Sequence, residues 1–347
     1  MQNCGAVGGC NGVECSVPSA TEGGIGSLPQ NVYTPPFPAA ALQQSPVLAL
    51  VITRSCPCAE ESSMMRITSE VPRLLLFGVL VVFVSPVSAQ RIVAHRGASH
   101  DAPENTMAAF DLAWQQQSDA IEGDFYLSSD GEIVAIHDKT TERTTGVDLP
   151  VKATSWARLQ TLDAGLWKAP AYRGERIPRI EDVVAGIPDG KTFVLEIKDG
   201  PELVPVLAEK IQSQPKFRAL IPDRLMIIAF NADVIAACRE QIPEAKAVWL
   251  TSFKVDLLAG RVTPTIDSIL ETLQRIDAHG LDCKASDHIN GEFVRRLREA
   301  RPARPYEFHV WTVDDPQLGR MFRDLGVDSI TTNRPQFLRR ELGLQKQ

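Results

Sequence analysis

Two histidines, three carboxylates, an arginine and a lysine stand at the ends of short apolar runs in this 347-residue chain. Ile92-Val93-Ala94 ends on His95, Arg96 and Gly97. A second run, from Asp119, delivers Glu122 and Asp124. A third, Ile133 to Ile136, delivers His137 and Asp138. A fourth, Phe193-Val194-Leu195, closes on Glu196, with Lys198 two residues on. Strand residues two apart face the same side, so Glu122 and Asp124 share a face. Three carboxylates at two strand ends suit a hard divalent ion, Ca2+ or Mg2+, which takes oxygen ligands. Zinc fits less well, since no histidine or cysteine stands at ligand spacing beside them. The plainer reading has these acids paired with Lys198 and nearby arginines. His95 and His137, at one sheet mouth, can serve as base and acid on opposite sides of a reaction centre. Either one alone reads equally well as a hydrogen-bonded strand-end residue. Arg96 offers a planar fork of donors that matches a phosphate. Phosphoryl transfer asks mainly for positioning and charge neutralisation, which these parts supply together. Glu104 either orients His95 or biases the start of the following helix. Trp311 ends a later strand, where an aromatic can wall a pocket. His309 alternates within that strand. His100, His279 and His288 fall in loop-like sequence and read as surface residues.

Such side chains must be carried by elements that end at one place. The helix after His95 is expected from Asn105 or Thr106 to Gln117, with Phe110, Ala113 and Trp114 on one face. Asp119 to Asp124 is the next strand. Residues 139–180 lack a long periodic element and read as an inserted excursion, a length that functional loops at a barrel mouth would explain. A helix over Ile180 to Ile187 follows. Strands are then expected at Thr192–Ile197, Leu225–Ala229, Ala247–Leu250, Leu281–Lys284, Glu307–Thr312 and Val327–Ile330, each with a helix after it. Asp315-Pro316 is a helix cap followed by proline in the first turn. Eight strand–helix units predict an α/β fold of the TIM (β/α)8 type, with the site at the C-terminal strand ends. An open doubly wound sheet is the alternative if the weak strands at 247 and 281 fail.

Residues 74–84, LLLFGVLVVFV, follow Arg66 and Arg73 and precede Pro86-Val87-Ser88-Ala89. This is the layout of a signal peptide over 64–89, so export to a periplasmic or extracellular location is expected. The run is too short for a membrane span of roughly 20 residues. Residues 1–63 are rich in Gly, Pro, Ser and Cys, hold five of the seven cysteines and show no periodicity. Met64 and Met65 follow them, and the simplest expectation is that synthesis starts there. The remaining 90–347 carries 33 Lys plus Arg against 38 Asp plus Glu, a formal charge of −5. That balance gives no basic surface for nucleic acid. Two cysteines, Cys238 and Cys283, remain; sequence leaves open whether they meet.

The motifs HRG at 95–97, ENT at 104–106, E-x-D at 122–124, DG…HD at 130–138, RTT at 143–145, GERIP at 174–178, EIK at 196–198 and WTVDDP at 311–316 occur in this order. Together they resemble the glycerophosphodiester phosphodiesterase family over essentially all of 91 to about 337. The resemblance implies a TIM barrel with a small insertion after the second strand. It implies metal-binding carboxylates at Glu122, Asp124 and Glu196, acid/base histidines at His95 and His137, and phosphate contacts from Arg96 and Lys198. The implied reaction is hydrolysis of deacylated phospholipids, such as glycerophosphocholine, to glycerol 3-phosphate and the free alcohol. Two positions depart from the family pattern. Ala229-Phe230 stands where Ser-Phe is common, and Gly123 replaces a bulkier apolar residue. Three other functions compete. A phospholipase acting on intact lipid would expose an apolar loop at the mouth, for which Leu166, Trp167 and Tyr172 are suggestive. A silent binding barrel would have lost residues that are present here. A glycosidase would use two facing carboxylates and leave Asp124, Arg96 and both histidines without a role.

Overall fold

The computed structural model describes residues 90–256 and 260–344. The expected signal peptide and the residues upstream of it lie outside the described residues. Eight parallel strands form a closed ring: β1 (Arg91–Ala94), β2 (Ala120–Leu127), β3 (Thr192–Ile197), β4 (Leu225–Ala229), β5 (Lys246–Thr251), β6 (Gly280–Lys284), β7 (Glu307–Trp311) and β8 (Ser329–Thr332). Each pairs with the next in order. The ring closes because β1 pairs with both β2 (Val93↔Ala120) and β8 (Val93↔Thr331). Helices follow the strands in turn: α1 (Met107–Gln115), α2 (Ile180–Ala185), α3 (Leu203–Ser213), α4 (Ala232–Gln241), α5 (Ile266–Arg275), α6 (Gly291–Glu299), α7 (Pro316–Asp324) and α8 (Pro335–Glu341). The expected TIM barrel is therefore the observed fold, and the strands at 247 and 281 are both present.

The strands read as nearly continuous apolar runs because both faces are covered. Leu225 to Ala229 is buried throughout. Outward residues such as Phe193, Phe308 and Ile121 pack against helix residues such as Phe110, Leu207 and Phe322. Inward residues Val93, Ala120, Val194, Met226, Ile228, Val248 and Leu250 fill the ring itself. Side chains cap several helices, two of them, at Thr106 and Asp315, as expected. Thr106 accepts from the Ala109 amide, Asn290 from Phe293, and Asp315 from Gln317 and Leu318. No helix among the described residues is long and apolar enough to cross a membrane.

Between β2 and α2 the chain makes its excursion. Ile133–Ala135 runs antiparallel to the end of β2, and short helical turns follow at Glu142–Thr145, Val151–Ala153, Trp156–Leu159 and Pro170–Tyr172. The excursion has its own apolar cluster, including Tyr126, Ile136, Val151, Leu159 and Ile177. It is tied to the β1–α1 loop: Lys168 Nζ donates to the Ser99 carbonyl (2.8 Å) and Tyr172 Oη to that of Asp101 (2.9 Å).

Three details differ from the sequence reading. His279 is buried rather than a surface residue, because it precedes β6 at the base of the barrel and its Nδ1 accepts from the Ala247 amide (2.9 Å). The last strand lies two residues later than expected: Gly326, at φ 73, turns the chain out of α7, and the Val327 amide still bonds back to Phe322. A short hairpin of Lys254–Asp256 with Arg261–Thr263 projects after β5 and has no counterpart in the sequence reading. Cys238 and Cys283 are buried and unbridged.

Candidate active site

The turn after β1 sets the geometry. Arg96 (φ 56) and Gly97 (φ 78) both take left-handed backbone. A Cβ on Gly97 would lie 2.5 Å from the Ala109 carbonyl carbon, so only glycine fits between the turn and α1. Arg96 is not glycine, and its conformation costs roughly 1–3 kcal/mol. Its interactions offset that cost. The Arg96 amide donates to Glu122 Oε2 (2.8 Å), Nη1 donates to Glu104 Oε1 (2.8 Å), and Nε lies 3.2 Å from Asp124 Oδ2.

On β2, Glu122 and Asp124 both point into the barrel mouth, and Glu196 joins them from β3. One oxygen of each lies within 4.8 Å of the others. All three are buried. Asn105 grips Asp124 from α1's entry, Nδ2 donating to Oδ2 (2.9 Å) while its Oδ1 accepts from the Asp124 amide (3.1 Å). Gly123 faces outward between them, where a Cβ would stand 3.2 Å from both Phe110 Cζ and Phe125 Cε2. Those rings leave a larger side chain at this position little room.

Crowding buried carboxylates splits their proton affinities. Burial raises Asp124, but Lys198 and Arg96 outweigh it and bring it down to about 2. Burial, together with the charge of Asp124, pushes Glu196 up to about 7 and Glu122 well above its usual range. Lys198 Nζ sits 2.7 Å from Glu196 Oε1 and 3.4 Å from Asp124 Oδ1. Glu122 Oε1 and Asp124 Oδ1 nonetheless accept no hydrogen bond although buried. Unsatisfied oxygens among clustered acids are the donor set of a hard divalent cation, and the residues present fit one.

The two histidines are held differently. His95 Nδ1 lies 2.7 Å from Asn333 Oδ1. Asn333 Nδ2 donates to Asp314 Oδ2 (2.6 Å), which fixes the amide so that its oxygen faces the imidazole. Nδ1 therefore carries the hydrogen and the Nε2 lone pair is free. Burial, reinforced by Arg96, lowers His95 to about 4, so the ring is neutral at physiological pH. His137 Nδ1 lies 2.7 Å from the carboxylate of Asp138. Arg143, from the excursion, locks this side. It donates to Asp138 Oδ2 (2.5 Å) and clasps Glu104 with two bonds of 2.7 and 2.9 Å.

One pocket is lined by His95, Arg96, Glu122, His137, Glu196, Lys198 and Trp311, with Ile228, Leu250, Phe230, Asp282 and Thr331 as its other walls. The sequence-derived residues thus converge, with Asp124 and Glu104 bonded directly to members of the lining. Trp311 meets Phe230 edge-to-face at 5.6 Å. Sequence reasoning missed Asn333, Asp314, Asn105, Arg143 and Asp282. Arg143 and Asp314 stood inside quoted motifs without a role, and Asn105 was offered only as a helix cap. Asn333 and Asp282 had only their places on or just after apolar runs to signal them.

Acids, bases and a phosphate-type arginine at the C-terminal mouth of a closed parallel barrel define a TIM-barrel hydrolase. Residues 95–337 match the glycerophosphoryl diester phosphodiesterase family. A glycerophosphodiester phosphodiesterase of Caldanaerobacter subterraneus subsp. tengcongensis is 32% identical over 249 residues, 71% of this chain and 95% of that protein. One of Bacillus subtilis is 29% identical over 287 residues, 76% of this chain and 93% of that protein. Among solved structures, an Oleispira antarctica phosphodiesterase in complex with the product sn-glycerol-3-phosphate superposes with a TM-score of 0.60. It is 27% identical, and the match covers 74% of this chain and 97% of that one. The chain belongs to the glycerophosphoryl diester phosphodiesterase family.

Proposed function

We propose that the protein hydrolyses glycerophosphodiesters to glycerol 3-phosphate and an alcohol, by a metal-dependent reaction in which His95 is the base and His137 the acid. The observation that carries the reading is that both histidines line one pocket, each with its Nδ1 held by a neighbour. Asn333 and burial leave His95 neutral with a free Nε2, while His137 Nδ1 lies 2.7 Å from Asp138 Oδ1. Arg96 and Lys198 hold the phosphodiester and neutralise its oxygens. A divalent ion, Ca2+ or Mg2+, held by Glu122, Asp124 and Glu196 would supply further charge neutralisation. His95 Nε2 takes a proton from the nucleophile, either water or the adjacent 2-hydroxyl of the glyceryl group, which proximity favours. A phosphorus–oxygen bond forms to that nucleophile, the bond to the alcohol breaks, and His137 hands its proton to the departing oxygen. If the 2-hydroxyl attacks, water opens the cyclic phosphate with the histidine roles reversed. The product held by the Oleispira antarctica phosphodiesterase supports the substrate class. Export is part of the same proposal, on the strength of the apolar run at 74–84.

A second reading, cleavage of intact phospholipid, draws on the exposure of Leu166 and Trp167 in the excursion. The test is release of glycerol 3-phosphate from glycerophosphocholine and glycerophosphoethanolamine, with chelator and after Ca2+ or Mg2+ repletion. Activity lost on chelation and restored by either ion is the expected result. Chelator-insensitive turnover overturns the metal assignment. Activity confined to phosphatidylcholine vesicles moves the substrate to intact lipid.

A further inference from the structure

We propose that Asp282, with Trp311, forms the subsite that recognises the free hydroxyls of the glyceryl group. The inference rests on the phosphodiesterase reading and deepens it.

Asp282 lies in the middle of β6, facing into the barrel, with Leu250 of β5 and His309 of β7 as its register partners. It is 2% exposed, and its Oδ1 accepts no hydrogen bond. It lines the pocket that holds both histidines. Neighbouring β7 brings Trp311 to the same pocket, with its Nε1 buried and likewise without a partner. Ile228, Leu250 and Phe230 wall this side and offer no side-chain hydrogen bond.

His309, the register neighbour on β7, makes no hydrogen bond to Asp282. Its Nδ1 lies 2.8 Å from Ser329 Oγ, and its Nε2 faces Glu307 at 3.4 Å, toward the opposite end of the barrel. A buried carboxyl oxygen left unsatisfied costs stability, and Oδ1 has no hydrogen-bond partner although the Cys283 amide reaches the carboxyl.

What would satisfy both atoms is set by their chemistry. Indole Nε1 only donates, and a carboxylate only accepts. A hydroxyl accepts from the first and donates to the second. A phosphodiester monoanion has no hydrogen to give Asp282 and would be repelled by its carboxylate. The trimethylammonium of choline carries no hydrogen-bond donor. A vicinal diol offers two hydroxyls, each able to give and take. Burial, with the charge of Glu196, pushes Asp282 up to about 7, so near neutrality its carboxyl can also donate to such a group. A site built around a hydroxyl rejects ligands that lack it by large factors, because the buried polar groups are then left unpaired.

The test is calorimetric titration of the metal-loaded full chain with sn-glycerol 3-phosphate and, separately, with inorganic phosphate, in wild type, Asp282→Leu, Asp282→Asn and Trp311→Phe. Wild type is expected to prefer glycerol 3-phosphate. Asp282→Leu should collapse that preference by about 10-fold or more, Trp311→Phe by a smaller factor, and Asp282→Asn should keep most of it, since an amide still bonds a hydroxyl. Asp282→Leu removes an unsatisfied buried group and should melt no lower than wild type, which separates loss of recognition from loss of fold. An unchanged ratio of the two affinities in Asp282→Leu overturns the assignment, as does an equal fall in both. Collapse of the preference in a protein that cleaves no glycerophosphodiester would keep the subsite and refute the proposed reaction.

Discussion

His95 owes its state to groups that never touch a substrate. Asp314 orients Asn333, Asn333 orients the imidazole, and burial keeps the ring uncharged. His95→Ala and His137→Ala should each cut kcat by about 10²–10⁴ while leaving the thermal melt near wild type. Asn333→Leu should lower kcat by a smaller factor, since it frees the tautomer without removing the base. Steady-state kinetics with circular dichroism checks all three, and wild-type rates in either alanine variant would sink the acid/base assignment. Strand-end position made the charged residues readable from sequence, because a carboxylate or histidine that interrupts an apolar run is conspicuous. Asn333 and Asp282 are as central, yet an amide or acid among Thr, Asp and Cys stands out far less. Their importance lies in partners up to 238 residues away, or in the lack of any partner.

At the scale of elements, the barrel was legible because most strands are apolar runs buried on both faces and six of the eight helices have a capping side chain or proline at their start. The excursion was legible only as a gap in that rhythm. Its small cluster around Val151, Leu159 and Ile177 is built from short turns with no sustained period. The hairpin at Lys254–Asp256 was invisible for a related reason: three exposed residues carry no burial pattern. The excursion is more than packing, since Arg143 joins Asp138, behind His137, to Glu104, behind Arg96. Arg143→Lys keeps the charge but cannot make the same bidentate clasp. It should lower kcat/KM by about 10-fold with little change in melting temperature. An unchanged kcat/KM would reduce Arg143 to a surface ion pair, worth about 0–1 kcal/mol.

Over the whole molecule, acid stability follows the buried imidazoles. Burial, aided by Arg239 and neighbouring arginines, lowers His279 to about 4 from 6.5. Between those values the unfolded chain binds a proton that the native state refuses. The contribution is therefore fully present above pH 6.5 and is lost as pH falls toward 4. It is worth about 3 kcal/mol at neutral pH. His279→Asn can still accept from the Ala247 amide but does not titrate. The difference in unfolding free energy between it and wild type should shift by about that amount between pH 7 and pH 4, and a pH-independent difference would refute the assignment. Asp282 has the opposite sign: raised to about 7, it favours the fold at low pH, and that contribution fades as pH rises through 7.

The seam where β1 meets β8 bears on how the enzyme comes into being. A ribosome that has passed Lys198 has already made both histidines, all three acids and the arginine. None of this can work yet, because the residue that orients the base is Asn333 and the strand that shuts the ring is Ser329–Thr332. On the proposed mechanism, competence waits for a residue made long after the last of the charged groups, and the nascent polypeptide is chemically silent until then. This long-range seam thus doubles as a delay, since the proposed hydrolysis must wait until β8 has been made and seated against β1.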